Sequence, residues 1–356
     1  MLIRKLPRWT VAVLLSIPAF GAGLAVSAAA SGTSTTTFYA CLYKGGLSKV
    51  STSAHTCPTG YKAVSWNAVG PEGIQGSPGP TGAAGSSVAC ILQTLCTWGS
   101  NFSGGSYGFN APYGVAFDGT HLWVTNFSGN SVTELNASDG SWVRTVSGGS
   151  YGFSNPRAIA FDGMHLWVTN CGNSVTELNA SDGSWVRTVS GGSYGFSNPY
   201  AIAFDGTHLW VTNFSGSSVT ELNASDGSWV RTVSGGSYAF SSPNAIAFDG
   251  THLWVTNFNG GSVTELNASD GSWARTVSGG SYGFSNPSGV AFDGTHLWVT
   301  NFNGGSVTEL NASGGSWVRT VSGGSYGFSN PYAIAFDGPH LWVANNGNSV
   351  TELWSH

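Results

Sequence analysis

Histidine recurs at nearly constant spacing along this chain, and its imidazole is a common metal ligand and a proton carrier near neutral pH. The recurring residues are His121, His165, His208, His252, His296 and His340. Each begins a predicted strand of its own repeat. Packed sheets lie about 10 Å apart, whereas metal-bound nitrogens lie about 2 Å from the ion. The spacing therefore predicts a structural role at a turn, and we expect no metal site and no cofactor.

Acidic residues recur in the same way. Glu134 and Glu265 precede a leucine in their repeats, and Arg144 and Arg275 follow them ten residues later. At that spacing, each pair would face across two strands on an exposed surface and contribute about a few tenths of a kcal/mol. A catalytic carboxylate would occur once, where the single site is. We therefore predict no catalytic residue.

The histidines and acidic residues belong to a sequence repeat that occurs six times in the chain. Its Phe-Asp-Gly motif recurs at intervals of 44, 43, 44, 44 and 44 residues, at Asp118, Asp162, Asp205, Asp249, Asp293 and Asp337. A fixed period of this length is typical of an array in which each copy is one supersecondary unit. Neighbouring copies then share a hydrophobic core that a single copy could not bury.

One copy contains four short runs with strand composition, at residues 200–204, 208–213, 218–223 and 228–234. The runs are rich in Val, Ile, Thr, Trp and Phe, and Gly, Asp, Asn, Ser or Pro bound them. Asp-Gly follows the first and third runs, and it favours tight antiparallel hairpins because both residues tolerate positive φ. The four runs therefore predict one antiparallel sheet per repeat.

The second Asp-Gly turn also allows a prediction of strand register. A three-residue loop with a left-handed Gly227 would place Leu222 opposite Val230 and Glu221 opposite Arg231. A two-residue loop would instead place Leu222 opposite Arg231. We favour the three-residue loop.

Four antiparallel strands in about 44 residues form the blade of a β-propeller, so six copies predict an all-β, six-bladed propeller. The last copy ends after its third strand. Upstream of the first copy, residues 97–109 align with residues 184–196 and would supply the missing outer strand. Completing the last blade in this way would close the ring and leave no open sheet edge.

The repeat resembles the NHL repeat, which has a proline, an apolar strand ending in Asp-Gly, a second apolar strand and a Gly-Phe-Asn-Pro return. The matching elements of the third copy are Gly195 to Pro199, Ile202 to Asp205, Gly206 and Leu209 to Val211. The resemblance covers residues 97–356 and extends to streptogramin lyase-like and YncE-like propellers. It departs at the second strand, where Asn213 and its equivalents stand in place of the Asp that many such repeats carry.

The resemblance implies a propeller fold and leaves two classes of function open. NHL propellers mostly bind protein or RNA, whereas some related propellers are lyases or lactonases. Such enzymes usually have His with Glu near the centre, or a carboxylate cluster that holds calcium. The strands predicted to line this channel supply Ala, Ile, Val and Phe. We therefore expect a binding protein rather than an enzyme.

The segments before the repeats predict export. Residues 1–30 combine basic residues, an apolar run and small residues in the pattern of a cleaved signal peptide, with an uncleaved anchor as the alternative. Residues 31–69 form a small cysteine-containing head, and residues 70–87 carry glycine at every third position. Together they resemble exported actinobacterial proteins with collagen-like tracts. The short tract favours a polyproline-type linker, with a trimer as the alternative, and residues 88–356 would form the propeller.

The chain contains five cysteines. In an oxidising compartment, we expect Cys41 to pair with Cys57 and to stabilise a head that is too small for its own core. Cys90 and Cys96 would either close a local loop or remain reduced. Cys171 stands where most other copies have phenylalanine. We interpret it as a small apolar replacement, with a free thiol of special function as the alternative.

Composition excludes two classes of partner. Only 8% of the residues are charged, the net charge is -5, and residues 88–356 contain no lysine. Nucleic-acid backbones and anionic membrane surfaces attract clustered positive charge, which this chain lacks. We therefore predict no nucleic-acid partner and no membrane span in the mature chain, which would be secreted or held at the cell surface.

Against a near-identical background, the residue after the return-loop proline varies most. It reads Tyr113, Arg157, Tyr200, Asn244, Ser288 and Tyr332. The first strand of a propeller blade lines the central channel, so these side chains should form a ring at one mouth. The loop after the second strand should reach the same face through Phe127, Cys171, Phe214, Phe258, Phe302 and Asn346. Such a ring suits a sugar, a peptide or a small anion, and drift among duplicated repeats is the alternative explanation.

These observations predict an exported propeller that acts as a non-catalytic binding or scaffold module. Its partner would be a glycan, a peptide or a protein of the cell envelope. The alternatives are a lyase- or lactonase-type enzyme, and a cell-surface spacer without a ligand.

Overall fold

The computed structural model describes residues 37–43, 46–51, 53, 56–57, 59, 62–67 and 102–354. The chain divides into two compact units, Met1–Gly76 and Ser77–His356. The predicted signal peptide, the collagen-like tract, Cys90 and Cys96 lie outside the described residues. The boundaries between the four segments therefore stay predictions.

In the first unit, three strands form one antiparallel sheet: β1 (Thr37–Tyr43), β2 (Gly46–Ser51) and β3 (Lys62–Asn67). Strand β1 lies between the other two. The backbone of Cys41 on this central strand pairs with Ser48 on one side and Ala63 on the other. The disulfide between Cys41 and Cys57 stays a prediction, because the side chains of these strands lie outside the described set.

The second unit is a six-bladed β-propeller of antiparallel sheets, as the repeat predicts, with four strands in each of the first five blades. The first strands of successive blades lie side by side around the channel. Blades one to three comprise β4 (Pro112–Phe117), β5 (His121–Asn126), β6 (Ser131–Asn136), β7 (Trp142–Ser147), β8 (Pro156–Phe161), β9 (His165–Asn170), β10 (Ser174–Asn179), β11 (Trp185–Ser190), β12 (Pro199–Phe204), β13 (His208–Asn213), β14 (Ser218–Asn223) and β15 (Trp229–Ser234).

Blades four to six comprise β16 (Pro243–Phe248), β17 (His252–Asn257), β18 (Ser262–Asn267), β19 (Trp273–Ser278), β20 (Pro287–Phe292), β21 (His296–Asn301), β22 (Ser306–Asn311), β23 (Trp317–Ser322), β24 (Pro331–Phe336), β25 (His340–Asn345) and β26 (Ser349–Trp354). Short 3-10 turns occur in return loops at Gly105–Tyr107, Gly149–Tyr151 and Gly192–Tyr194. Within the part of the chain that the structure describes, no helix has the length and hydropathy needed to cross a bilayer.

The Phe-Asp-Gly motif builds the tight turn between the first two strands of a blade. In blade three, the Asp205 N–H donates to the His208 carbonyl at 3.0 Å, which leaves a two-residue loop with Gly206 at φ 101°. The Asp205 carboxylate also accepts hydrogen bonds from the backbone N–H groups of Thr207 and His208. Its second oxygen accepts a 2.7 Å hydrogen bond from the indole of the buried Trp210. The aspartate therefore fixes both the turn and the central core residue of the blade.

The turn between the third and fourth strands differs from the predicted register. Glu221 lies opposite Arg231 as predicted, but Leu222 lies opposite Trp229, with a bulge between the two pairs. The prediction that Leu222 faces Val230 was therefore wrong.

The bulge accompanies a longer loop. The Asn223 N–H donates to the Ser228 carbonyl at 2.9 Å, so the loop comprises residues 224–227 rather than three residues. Gly227 is left-handed as predicted, at φ 67°. A Cβ there would also lie 3.2 Å from Cη2 of Trp167 in the preceding blade. Both the backbone conformation and the packing of the neighbouring blade therefore require glycine.

The hydrophobic core lies between consecutive blades. The first interface is formed by Trp123, Val132, Val146, Ile159, Leu166, Val168 and Leu178. The same arrangement recurs at each following interface up to that between blades five and six. Burying each of the larger side chains contributes roughly 1.5–3 kcal/mol, so the interfaces, rather than single blades, stabilise the unit.

The junction between the sixth and first blades is more open than the other five. Val350 is 65% exposed, whereas its counterpart Val132 is 0% exposed. Val115 is 59% exposed, although its counterpart Ile159 is buried. The described part of blade six has three strands. The predicted fourth strand begins at residues 97–101, which lie outside the described residues.

Phe102 supports the predicted closure. A Cβ at Gly140 of blade one would overlap the Phe102 ring, just as a Cβ at Gly183 of blade two would lie 3.1 Å from Val146 of blade one. In the sequence alignment, Phe102 takes the position of Val146 and Val189. Phe102 therefore occupies the place against blade one that an outer-strand residue of blade six would fill.

Candidate ligand-binding site at the channel mouth

The six variable residues that follow the return-loop prolines meet at one mouth of the channel. Each is the second residue of the first strand in its blade. A cavity of 410 Å³ opens there and is lined by all six: Tyr113, Arg157, Tyr200, Asn244, Ser288 and Tyr332. This volume falls within the usual range of small-molecule sites. The structure thus brings the side chains of the proposed ring together, and their role in binding stays a prediction.

Buried threonines hold the first strands of neighbouring blades in place. Thr125 accepts a hydrogen bond from the Gly114 N–H at 2.8 Å and donates to the Arg157 carbonyl of the next blade at 2.7 Å. Thr256 likewise donates to the Ser288 carbonyl of the next blade at 2.9 Å. These hydroxyls therefore fix the backbone of mouth residues against the preceding blade.

The sixth blade lacks this threonine. Ala344 stands at the position occupied in the other blades by Thr125, Thr169, Thr212, Thr256 and Thr300. Ala344 is exposed and lines the cavity together with its neighbour Asn346. The cavity therefore reaches the junction between blades six and one, where an alanine cannot make the backbone bridge. This substitution was visible in the sequence, but its position next to the mouth was not recognised.

Arg157 dominates the electrostatics of the mouth. It is only 8% exposed, and its guanidinium donates hydrogen bonds to the hydroxyls of Tyr113 and Tyr332. Its Cζ lies 4.0 Å from the ring centroid of Tyr113 and 3.1 Å from that of Tyr200. Burial lowers the pKa of Arg157 to about 10, so the side chain stays protonated at neutral pH.

No carboxylate among the described residues lies within ion-pair distance of Arg157. The other five described arginines each pair with a glutamate of their own blade, as Arg144 does with Glu134 at 2.7 Å. The described residues that line the cavity also include no Asp, Glu or His. A buried charge without a counterion is costly unless polar groups and ring faces solvate it. The mouth therefore carries a concentrated positive potential.

Burial keeps the phenol and thiol groups beside Arg157 protonated. Burial raises the pKa of Tyr200 and of Tyr332 above the usual value for a phenol. Cys171 is a free thiol beside Arg157, and burial raises its pKa although the guanidinium opposes the shift. Neither these phenols nor the thiol is ionised at neutral pH, so none of them neutralises the guanidinium.

A chain of aromatic rings surrounds the arginine, and we call it the aromatic collar. Neighbouring ring centroids lie between 4.6 Å and 6.4 Å apart. In order around the mouth, the collar comprises Tyr200, Phe214, Phe258, Phe302, Tyr332, Tyr113 and Phe127. It is interrupted at blade two, where Cys171 stands in place of phenylalanine. The Arg157 guanidinium lies between the rings of Tyr113 and Tyr200, which belong to the blades on either side of this interruption.

The recurring histidines lie at the opposite end of the first hairpin from the mouth. In blade three, His208 Nδ1 lies 3.6 Å from an Asp205 oxygen and 3.5 Å from a Glu221 oxygen of the same blade. Each of the other histidines has the same two kinds of neighbour in its own blade. The imidazoles therefore take part in separate networks within the blades rather than converging on the axis.

The prediction that the recurring glutamates are exposed was wrong for blades one to five, whereas Glu352 of blade six is 38% exposed. Glu221 is 1% exposed, and its carboxylate lies 2.8 Å from Arg231 Nε. The guanidinium of Arg231 also donates to the Asp270 carbonyl of the next blade. The error arose because a sheet within a propeller is covered on both faces, so strand alternation does not leave one face in water. Burial raises the pKa of Glu221, although Arg231 opposes the shift.

The fold and this mouth define a β-propeller protein with a small aromatic and cationic cavity. No family model and no curated protein matches the chain. A streptogramin B lyase structure is similar, with a TM-score of 0.57 and 19% identity over 72% of this chain and 86% of that chain. A virginiamycin B lyase from Staphylococcus aureus is also similar, with a TM-score of 0.57 and 20% identity over 72% of this chain and 87% of that chain. The U3-55K structure has a TM-score of 0.57 and 15% identity over 68% of this chain and 77% of that chain. At these identities, the similarities establish the propeller fold alone.

Proposed function

We propose that this chain is an exported, non-catalytic binding propeller that holds its ligand at the channel mouth. The observation that carries the proposal is that the most variable position of the repeat lines one shared cavity of 410 Å³ in all six blades. Drift among duplicated repeats, the alternative explanation, would not by itself concentrate the variation at the position that faces a common cavity. Variation at that position is expected when six equivalent places must together fit one asymmetric ligand.

The proposed setting is the cell envelope. The signal-like residues 1–30 support export, and the head with its collagen-like tract would tether or space the propeller. The partner would then be a glycan, a peptide or a protein of the envelope. Three chains could associate as a trimer through the collagen-like tract. This setting rests on the sequence of segments that precede the propeller.

A lyase- or lactonase-type enzyme is the second candidate, because two of the similar structures are lyases. The described lining of the cavity offers Tyr, Ser, Asn and Arg side chains, but no imidazole or carboxylate to act as a general base. We therefore favour binding. Incubating the full chain with a streptogramin B depsipeptide and following ring opening by mass spectrometry tests the alternative. Turnover that is lost in Arg157→Gln would establish an enzyme at this mouth.

Glycan and peptide arrays probed with the labelled full chain test the binding proposal. Tyr200→Ala removes one ring of the collar, and Trp229→Ala, which removes an exposed rim side chain in the same blade, is the matched control. We expect a ligand whose signal falls at least tenfold in Tyr200→Ala and is unchanged in Trp229→Ala. A ligand that is insensitive to Tyr200 would place binding elsewhere, and the absence of any ligand would favour the spacer.

A further inference from the structure

We infer that the mouth binds a small aromatic carboxylate, with the carboxylate paired to Arg157 and the ring packed against the aromatic collar. This inference rests on the proposed function, since it names the ligand class of the same site. A free aromatic acid and the C-terminal aromatic residue of a peptide both present this chemistry.

Arg157 has no counterion among the described residues. A guanidinium has five N–H donors in a planar fork that matches a carboxylate bidentately. The hydrogen-bond partners of Arg157 are neutral, namely the hydroxyls of Tyr113, Tyr332 and Tyr200 and the thiol of Cys171. A ligand carboxylate would supply the negative charge that a glutamate supplies to every other described arginine.

Few free hydrogen-bonding groups line the described part of the cavity, which disfavours a sugar as the ligand. Of the serine and asparagine side chains that line the cavity, those of Ser288, Asn244 and Asn345 are buried, and among the described residues only Asn346 is exposed. The Ser288 hydroxyl is already engaged with the Thr300 hydroxyl at 2.9 Å and the Pro331 carbonyl at 3.0 Å. A sugar would lose hydrogen bonds to water without replacing them here. A flat aromatic ring instead matches the ring faces that the collar presents.

The size of the cavity also favours a small ligand. The cavity of 410 Å³ accepts one or two fused rings with a carboxylate, whereas a folded protein or a long glycan could insert only one terminal group. Between the polar residues, the lining is formed by small residues such as Ala158, Ala201 and Ala245. These short side chains leave room for a planar ligand between the collar and the channel wall.

The test compares naphthalene-2-carboxylate with its neutral isostere naphthalene-2-carboxamide by isothermal titration calorimetry on the full chain. We expect the acid to bind at least tenfold more tightly than the amide. Arg157→Gln should remove this difference, while Arg231→Gln, which changes a glutamate-paired arginine outside the mouth, should preserve it. Tyr200→Ala should weaken both ligands. The comparison of acid and amide uses the unaltered protein, so its result does not depend on whether a variant folds.

A second arm distinguishes the sources of the ligand. A pentapeptide ending in phenylalanine with a free carboxylate should bind more weakly than the small acid if the ligand is a free molecule, and more tightly if it is a chain terminus. Preference for the free carboxylate over the C-terminal amide of the peptide supports the shared chemistry in either case.

Two results in which the probes bind would overturn the inference and leave the proposed function standing. One is equal binding of acid and amide to the unaltered protein, and the other is an acid preference that persists in Arg157→Gln. Failure of both probes, together with an array ligand that depends on Tyr200, would also reject the aromatic acid but retain binding at the mouth. If no ligand of any class depends on Tyr200, both the inference and the proposed function fail.

Discussion

The hydroxyl of Thr125 in blade one donates a 2.7 Å hydrogen bond to the carbonyl of Arg157 in blade two. This bond ties the backbone of Arg157, the only cationic residue among the described residues of the mouth, to the blade before it. The corresponding position of blade six is Ala344, so its bridge to the first strand of blade one is missing. The mouth is therefore rigid around Arg157 and less restrained where blades six and one meet.

Ala344→Thr should stabilise the propeller by restoring this bridge. A new hydrogen bond contributes about 1 kcal/mol, so the free energy of unfolding in urea should rise by at most about that amount at this exposed position. Ala344→Val is the matched control, because it adds the same bulk without the hydroxyl. Equal effects of Thr and Val would show that no backbone acceptor lies within reach at this junction.

Trp210→Phe should cost far more stability than Trp229→Phe. The Trp210 indole is buried and donates to the Asp205 carboxylate at 2.7 Å, so phenylalanine would leave a buried, charged acceptor short of a donor. We expect a loss of about 2–3 kcal/mol. Trp229 is 46% exposed and donates to the Thr232 hydroxyl, so its replacement should cost less than about 1 kcal/mol. Urea denaturation of both variants measures the difference, and similar losses would contradict the central role of the aspartate.

Buried glutamates should make the stability depend on pH. Burial raises the pKa of four glutamates above their ordinary value of 4.5: Glu134, Glu177, Glu221 and Glu265. The folded chain therefore holds protons that the unfolded chain has lost just above pH 4.5. The contribution of these groups to the free energy of unfolding consequently falls as the pH rises through that window.

Aspartates in the outer hairpins act in the opposite direction. Hydrogen bonds from the following serine lower the pKa of four of them below 3.8: Asp139, Asp182, Asp226 and Asp270. Their contribution is lost as the pH falls below 3.8. We therefore expect urea denaturation between pH 3 and pH 7 to show greatest stability near about pH 4.

Glu221→Gln separates the two groups of acids. It should reduce the slope above pH 4.5 by about a quarter, whereas Asp226→Asn should change only the slope below pH 3.8. The slopes are compared rather than the absolute stabilities, because Glu221→Gln also leaves Arg231 without its partner. A flat profile above pH 4.5 would contradict the burial of the glutamates.

The sequence predicted the architecture because six copies of one pattern report the same turns and strands six times. The Asp-Gly dipeptides located both hairpins, and the most variable position indicated which side chains share the mouth. The sequence could not show which residues contact each other across the interface between two blades. Strand alternation within one sheet predicts that Glu221 is exposed, but the blade that covers it lies about 44 residues away in the chain.

The outer hairpin and the mouth each have details that depend on contacts between blades, which the sequence does not show. The loop before Trp229 is one residue longer than the favoured hairpin, and packing against Trp167 of the preceding blade accompanies that geometry. The interrupted aromatic collar requires the distances between rings of different blades. Sequence identified Cys171 as the odd residue, but only the structure shows that Arg157 lies beside it in the gap.

A double-mutant cycle on Phe102 and Gly140 tests the closure of the ring. Gly140 has φ 71°, and a Cβ there would overlap the Phe102 ring. Gly140→Ala should therefore cost backbone strain of about 1 kcal/mol plus the displacement of that ring. In the Phe102→Ala background, only the strain remains, so the two substitutions should couple by about 1 kcal/mol or more in urea denaturation. Gly183→Ala, which faces Val146 at the first interface, should show no coupling to Phe102→Ala. Additive costs at Phe102 and Gly140 would mean that the segment before blade one does not complete blade six, and the ring would then lack its predicted outer strand.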